Sequence, residues 1–228
     1  MEGRIQSVYA GSGVDGKGLR VVVFFYGCNL RCPFCHNPET LYGDRFKVFS
    51  DEEVVAQIKK YKSYIKRGGV TLSGGEPFCQ AEFAKSIIKK LINENIPVII
   101  ETNGHIIDRE LLALTEYVIL DVKNQERDNT EVYDAFLTAC ESEGKRVEVT
   151  NVLVPGVNDG DEKISSLAAL LKKHGIKEIR FLPFRKLCRD KYLQLKIPFG
   201  FSGHREAGEE DLRSADNKFS EYYQKRKS

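Results

Sequence analysis

Six short apolar runs alternate with segments of helical periodicity along this chain, and that alternation restricts the possible folds more than any other feature of the sequence. The first run, Leu19 to Tyr26 (LRVVVFFY), is β-branched and aromatic, with four glycines between Gly11 and Gly18 before it and Gly27 after it, as a buried strand requires. Val70–Leu72, Pro97–Ile100, Tyr117–Leu120, Val147–Val154 and Ile179–Leu182 repeat the signal. Between them lie the helices. Ser50 with Glu53 forms a capping-box pair, and Val54, Ile58, Tyr61 and Ile65 on one face predict a helix over 51–66. Ala84, Ile87, Ile88, Leu91 and Ile92 stripe the next, and Asp108 caps a short one carrying Leu111, Leu112 and Leu114. Val132, Phe136, Leu137 and Cys140 mark a helix over Thr130–Glu143, and the stripe from Ile164 to Leu171 closes at His174-Gly175. Strand–helix alternation of this kind predicts a parallel α/β sheet with right-handed crossovers and a site at the strand C-termini. Beyond Pro183 the rhythm fails. Only Leu212, Phe219 and Tyr222 hint at a last helix, so residues 184–228 are expected to be a less regular extension of a single domain spanning 1–228.

Composition narrows the functional classes. A formal net charge of +2 from 35 basic and 33 acidic residues is a mixed solvated surface, not the footprint of a nucleic-acid binder. The longest apolar run, Val21 to Tyr26, is far short of the roughly 20 residues a membrane span needs. No apolar stretch of signal-peptide length follows the N-terminus, so a cytoplasmic location is expected, without membrane or nucleic-acid partners and as a monomer. In that reducing compartment the six cysteines are better read as ligands, nucleophiles or core fillers than as disulfides. Cys79, Cys140 and Cys188 stand alone and read as small apolar side chains.

Cys28, Cys32 and Cys35 are spaced C-x-x-x-C-x-x-C directly after the first strand. Three thiolates on so short a loop can converge on one inorganic centre. Zinc would need a fourth ligand, and His36, adjacent to Cys35, is poorly placed to share a tetrahedron with it. A four-iron cluster held by three thiolates keeps one iron open to something else. A zinc-bound or redox-sensing module is the alternative from another class.

The C-x-x-x-C-x-aromatic-C arrangement, with Phe34 as the aromatic, resembles the signature of the radical S-adenosylmethionine enzymes. The likeness extends further. Gly3-Arg4-Ile5, Asp15-Gly16-Lys17-Gly18-Leu19-Arg20, Cys35-His36-Asn37, Ser73-Gly74-Gly75-Glu76-Pro77, Thr102-Asn103-Gly104, Leu120-Asp121-Val122-Lys123, Val154-Pro155-Gly156-Val157-Asn158-Asp159 and Leu182-Pro183-Phe184 follow in order. Together, over roughly residues 3–185, they are similar to the glycyl-radical-enzyme activases of the compact pyruvate formate-lyase type, without the ferredoxin-like insert many relatives carry. The resemblance implies a partial (β/α)6 TIM-like barrel, a [4Fe-4S] cluster on Cys28, Cys32 and Cys35, and S-adenosyl-L-methionine chelating the open iron. Reductive cleavage would then yield a 5′-deoxyadenosyl radical that takes hydrogen from a glycine of a partner protein.

The same resemblance assigns cofactor contacts to Phe34, Cys35, His36, Gly74, Gly75, Glu76, Thr102, Asn103, Asp121, Val122, Lys123 and Arg185. It also assigns a monovalent cation to Glu101, Thr102 and Asp121, with Glu101 replacing the usual Asp. Flavodoxin or ferredoxin would supply the electron, and pyruvate formate-lyase would be the partner. The Asp15–Gly18 turn and the segment after Pro183 are candidates for gripping the partner's glycine loop. Two positions depart from the family pattern: Thr150 stands for an Arg and Arg185 for a His. A radical enzyme acting on a small molecule is the second enzyme reading; the Asp-Gly-x-Gly-x-Arg turn and Cys-His-Asn argue against it.

Overall fold

The computed structural model describes residues 1–44, 46–123 and 130–224; the last four residues of the expected C-terminal extension lie outside this range. In chain order the elements are β1 (Glu2–Ser12), β2 (Arg20–Phe25), β3 (Lys47–Ser50), α1 (Asp51–Lys59), β4 (Gly69–Gly74), α2 (Ala81–Asn93), β5 (Val98–Thr102) and α3 (Arg109–Leu114). There follow β6 (Val118–Asp121), α4 (Thr130–Ser142), β7 (Val147–Leu153), α5 (Asp161–Lys173), β8 (Ile179–Pro183), α6 (Arg189–Leu195) and α7 (Glu209–Gln224). The strands form one sheet in the order β3-β1-β2-β4-β5-β6-β7-β8. From β2 to β8 every pairing is parallel, and these are the six strands of the sequence alternation. The open (β/α)6 sheet does not close on itself.

Three features differ from expectation. β1 and β3 extend the sheet as antiparallel strands on the far side of β2. Their alternation is blurred, since β1 contains Gly3 and Gly11 and carries two register shifts against β2. Helix α1 starts at the expected capping box, with Ser50 accepting from Glu53 N and the Glu53 carboxylate accepting from Ser50 N, but ends at Lys59. Over 60–64 the chain tightens into i−3 bonds, such as Lys62 N to the Lys59 carbonyl, which still deliver Ile65 to the core. The extension also contains α7, a regular 16-residue helix that buries Ala215 and Phe219.

The period of two divides the parallel strands between two environments. Val21, Val23, Phe25, Leu72, Ile100 and Leu120 point to the helices and join Val54, Ile58, Ile88, Leu91, Phe136 and Leu171 in the main core. Burial of each such side chain contributes about 1.5–3 kcal/mol. The alternate positions face the other way, where Ile99, Tyr117 and Ile119 form a small apolar floor. Beside the floor lies Arg20, 1% exposed, whose guanidinium donates to Thr71 Oγ1 and to the carbonyls of Lys17, Gly68 and Val70. Burial lowers its pKa, and the four bonds replace the water it has lost. Gly16 (φ +115°) lets the Asp15–Gly18 turn press onto this floor; a Cβ there would lie 2.5 Å from Ile99 Cδ1.

A candidate cysteine-lined active site

Above the floor, at the C-terminal ends of the parallel strands, is a cavity of about 410 Å³, within the range of small-molecule sites. One side chain near the end of each strand reaches it: Phe24, Ser73, Glu101, Asp121, Val152 and Leu182. The loop leaving β2 supplies Cys28, Cys32, Phe34, Cys35 and His36, and the last residues of β4 and β5 with the loops after them supply Gly74, Gly75, Thr102 and Asn103. Lys123, Asp15, Asn37 and Thr40 add to the polar lining. Most of the expected site residues thus meet at one place. Among the described residues no three His, Cys, Asp or Glu side chains converge tightly enough to clamp a single ion. The three thiols instead share the wall of a ligand-sized cavity.

Burial pushes all three thiols up, Cys32 to about 11, while Lys123 works in the opposite sense on each. Loading of an electrophilic metal centre here therefore displaces protons. Asn103 Nδ2 lies 3.6 Å from Cys28 Sγ and 2.9 Å from Asn29 Oδ1, tying the β5 loop to the cysteine loop. Gly75 permits the closest approach. A Cβ on it would sit 2.0 Å from the Gly27 carbonyl oxygen, and its own N–H donates to the Phe25 carbonyl at 2.8 Å.

Glu76, expected among the cofactor contacts, lies behind the wall. It is 1% exposed, and its carboxylate accepts from Phe78 N, Thr102 Oγ1 and Asn103 N at 2.8–3.1 Å. Burial lifts its pKa to about 7 against those three donors. Val122 is likewise out of the cavity, because the period of two turns its side chain into the main core. Arg185 is turned away: its Nη1 donates to the Ala207 carbonyl at 2.5 Å and stands 3.9 Å from Glu206. Cys140 and Cys188 are buried as expected, but Cys79 is exposed.

The cation residues are engaged with the protein itself. Glu101 accepts from Ser73 Oγ at 2.6 Å, Thr102 donates to Glu76, and Asp121 Oδ2 pairs with Lys123 Nζ. Burial raises the Glu101 pKa. For Lys123 burial is the largest influence and acts downward, yet Asp121, Cys32 and Glu101 together outweigh it and the net shift is upward, which keeps the ammonium charged. Asp121 Oδ1 and the Thr150 hydroxyl, on adjacent, register-matched strands, are buried without a partner among the described residues. Thr150 shares its strand face with the cavity residue Val152. Two such orphan atoms suit a polar ligand rather than empty space.

The sequence reading missed what fastens the cysteine loop. The Tyr192 hydroxyl donates to the Cys35 carbonyl at 3.0 Å, and Lys191 Nζ reaches the His36 carbonyl, Asn37 and Glu39. His36 Nε2 is 2.8 Å from the Arg185 carbonyl. Phe34 packs with Phe184 and Phe201 in a second core cluster that also holds Val154 and Phe199. The aromatic spacing of Phe184, Phe199 and Phe201 was the available signal.

Residues 22–124 match the model of the radical SAM superfamily. The chain is 36% identical to the pyruvate formate-lyase-activating enzyme of Clostridium pasteurianum over 210 residues, 86% of this chain and 88% of that protein. It is 30% identical to pyruvate formate-lyase 1-activating enzyme of Escherichia coli K12, with 88% of each covered. Among solved structures it is similar in fold to Streptococcus suis SuiB bound to S-adenosylmethionine, with TM-score 0.64 and 15% identity over 88% of this chain and 48% of that one. A radical SAM methyltransferase from Sphaerobacter thermophilus gives TM-score 0.63 and 17% identity over 89% of this chain and 64% of that one. The extent of the match to the activating enzymes, joined to three cysteines at the mouth of a parallel-sheet cavity, means that this chain belongs to the pyruvate formate-lyase-activating enzyme family of the radical SAM superfamily.

Proposed function

We propose that the chain is an activase that installs a glycyl radical on a partner enzyme, pyruvate formate-lyase. Cys28, Cys32 and Cys35 would hold a [4Fe-4S] cluster through three irons, and S-adenosylmethionine would fill the cavity above the sheet. Bound together, and with one electron from flavodoxin or ferredoxin, these groups would supply the organic radical that takes a hydrogen atom from a glycine Cα. The observation that carries the reading is the shared cavity, in which the thiol loop faces the Gly74-Gly75 backbone and the Asp121–Lys123 pair.

The residues have separable tasks. Gly74 and Gly75 let the end of β4 lie against the Phe24, Phe25 and Gly27 backbone, where an added Cβ would come within 2.5 Å and 2.0 Å of main-chain atoms, and so bring main-chain groups to the ligand's amino-acid end. Asp121 Oδ1 and the Thr150 hydroxyl offer hydrogen bonds to a polyhydroxyl ligand, and Lys123 offers charge to a carboxylate. Phe34 shields the loop from water on the side of the C-terminal segment, and His36 ties the loop to the Arg185 carbonyl. Glu76 holds the β4 and β5 loops at fixed separation.

The test is anaerobic reconstitution followed by mixing with pyruvate formate-lyase, S-adenosylmethionine and a reductant. Iron and sulfide bound to the protein and a glycyl radical doublet by electron paramagnetic resonance are the expected results. Stoichiometric zinc without sulfide would sink the reading, as would S-adenosylmethionine cleavage with no doublet on the partner.

A further inference from the structure

A second cavity of about 250 Å³ opens on the opposite side of the cysteine loop. Arg31, Pro33, Tyr42, Tyr192, Ile197 and Pro198 line it, and so do Cys32 and Cys35, which also line the main cavity. These two cysteines thus stand in a wall with the catalytic space on one side and this outer pocket on the other. The chemistry of the outer side differs. Its body is aromatic and aliphatic, whereas the main cavity carries three acidic side chains, Asp15, Glu101 and Asp121.

The surroundings of the outer pocket are basic. Residues 185–205 contain six Lys or Arg and one acidic residue, Asp190, a net +5 in a chain whose total is +2, so the remainder is net −3. Lys191 is committed to Glu39 and Arg205 to Asp211, but Arg189 and Lys196 are exposed. Leu193, four residues along from Arg189 on the same helical face, is 66% exposed. Arg31, exposed at the rim, is braced by the Cys28 and Leu30 carbonyls, with its guanidinium 5.8 Å from the Tyr42 ring centroid.

We propose that this face, the outer pocket with α6 and Arg31 around it, docks an acidic, low-potential one-electron carrier protein that seats the edge of its planar flavin group in the pocket. The proposal rests on the activase reading, which requires such a donor. Charge complementarity orients the carrier and speeds encounter. The apolar pocket then desolvates the contact beside Cys32 and Cys35 without using the main cavity, so a carrier can dock while the cavity is filled. The carrier's reduced group loses one electron and the iron–sulfur group on the thiols gains it; no bond forms or breaks, and no proton moves at this face.

The test uses the reconstituted protein and oxidised flavodoxin as the binding probe. The double variant Arg189→Glu/Lys196→Glu should bind flavodoxin about tenfold more weakly at low salt, with the gap closing as salt rises. Leu193→Ser should weaken binding severalfold with little change in salt dependence. In both variants the cluster absorbance, its reduction by dithionite and dithionite-driven S-adenosylmethionine cleavage should match the unaltered protein, while reduction by flavodoxin hydroquinone slows. Unchanged flavodoxin affinity in both variants overturns the docking surface alone. So does a loss confined to pyruvate formate-lyase binding, which would assign the face to that partner. Failure of the unaltered protein to cleave S-adenosylmethionine with dithionite overturns the activase reading, and the docking proposal with it.

Discussion

At Thr150 the structure leaves a buried hydroxyl, 2% exposed, without a partner among the described residues. A buried polar group in that state costs about 1–3 kcal/mol. Thr150→Val removes the cost at nearly constant volume, so we expect stability to rise by about 1 kcal/mol, read as a melting temperature about 2–4 °C higher. The same change should weaken S-adenosylmethionine binding severalfold in equilibrium dialysis; equal affinity would show that the hydroxyl does not face the ligand. Glu76 makes the opposite case, because its carboxylate is fully paired. In Glu76→Gln the amide places an N–H against the Asn103 N–H or against the pair of donors on the other oxygen. We expect a loss of about 1–3 kcal/mol, visible in chemical denaturation, and a looser cofactor site. Residues with chemical character were legible in the sequence: the three cysteines, Gly75, Asp121 and Lys123 carry motif signals that the cavity brings together. Phe24 and Val152 were not, since an apolar residue near a strand end has the same signature whether it faces a core or a ligand. For Val122 the motif and the packing diverge: its neighbours Asp121 and Lys123 line the cavity, and the period of two sends its own side chain to the core.

The helices and parallel strands were legible because each carries its own periodicity over enough residues to be read alone. Elements whose order comes from a partner were not. β3 is four residues long and has its register from β1, and α6 is seven residues long with a stripe too short to detect. Yet α6 and the segment around it fasten the cysteine loop. The Gly200 backbone lies against Pro33, where an added Cβ would be 2.7 Å from Pro33 Cβ and 3.1 Å from its carbonyl oxygen. Gly200 has no left-handed backbone angle to explain it, so close approach to the loop accounts for the glycine. Gly200→Ala should therefore push the clasp off the loop without disturbing the main core. The expected outcome is an unchanged melting transition with faster loss of cluster absorbance in air; a cluster as durable as in the unaltered protein would show that the clasp is not what protects it.

At the scale of the molecule, stability and chemistry are carried by different packing units. The main core joins the strands to α1–α5 and α7 and, among the described residues, includes none between Tyr26 and Asp51 that is fully buried in it. Phe34 of the cysteine loop belongs to the second cluster with Val154, Phe184, Cys188, Tyr192 and Phe199. A domain in which metal ligation supplied the folding energy would behave otherwise, since removal of the metal then unfolds the chain. Here the sheet and its helices bury their apolar faces without the cluster. Iron chelation from the reconstituted protein should leave far-ultraviolet circular dichroism and the global unfolding transition nearly intact. Amide exchange should quicken over residues 28–42 and 184–205, the two segments that the second cluster and the Tyr192–Cys35 bond hold together. Exchange that quickens across β4, β5 and β6 as well would mean that the iron centre organises the sheet and that the two packing units are one.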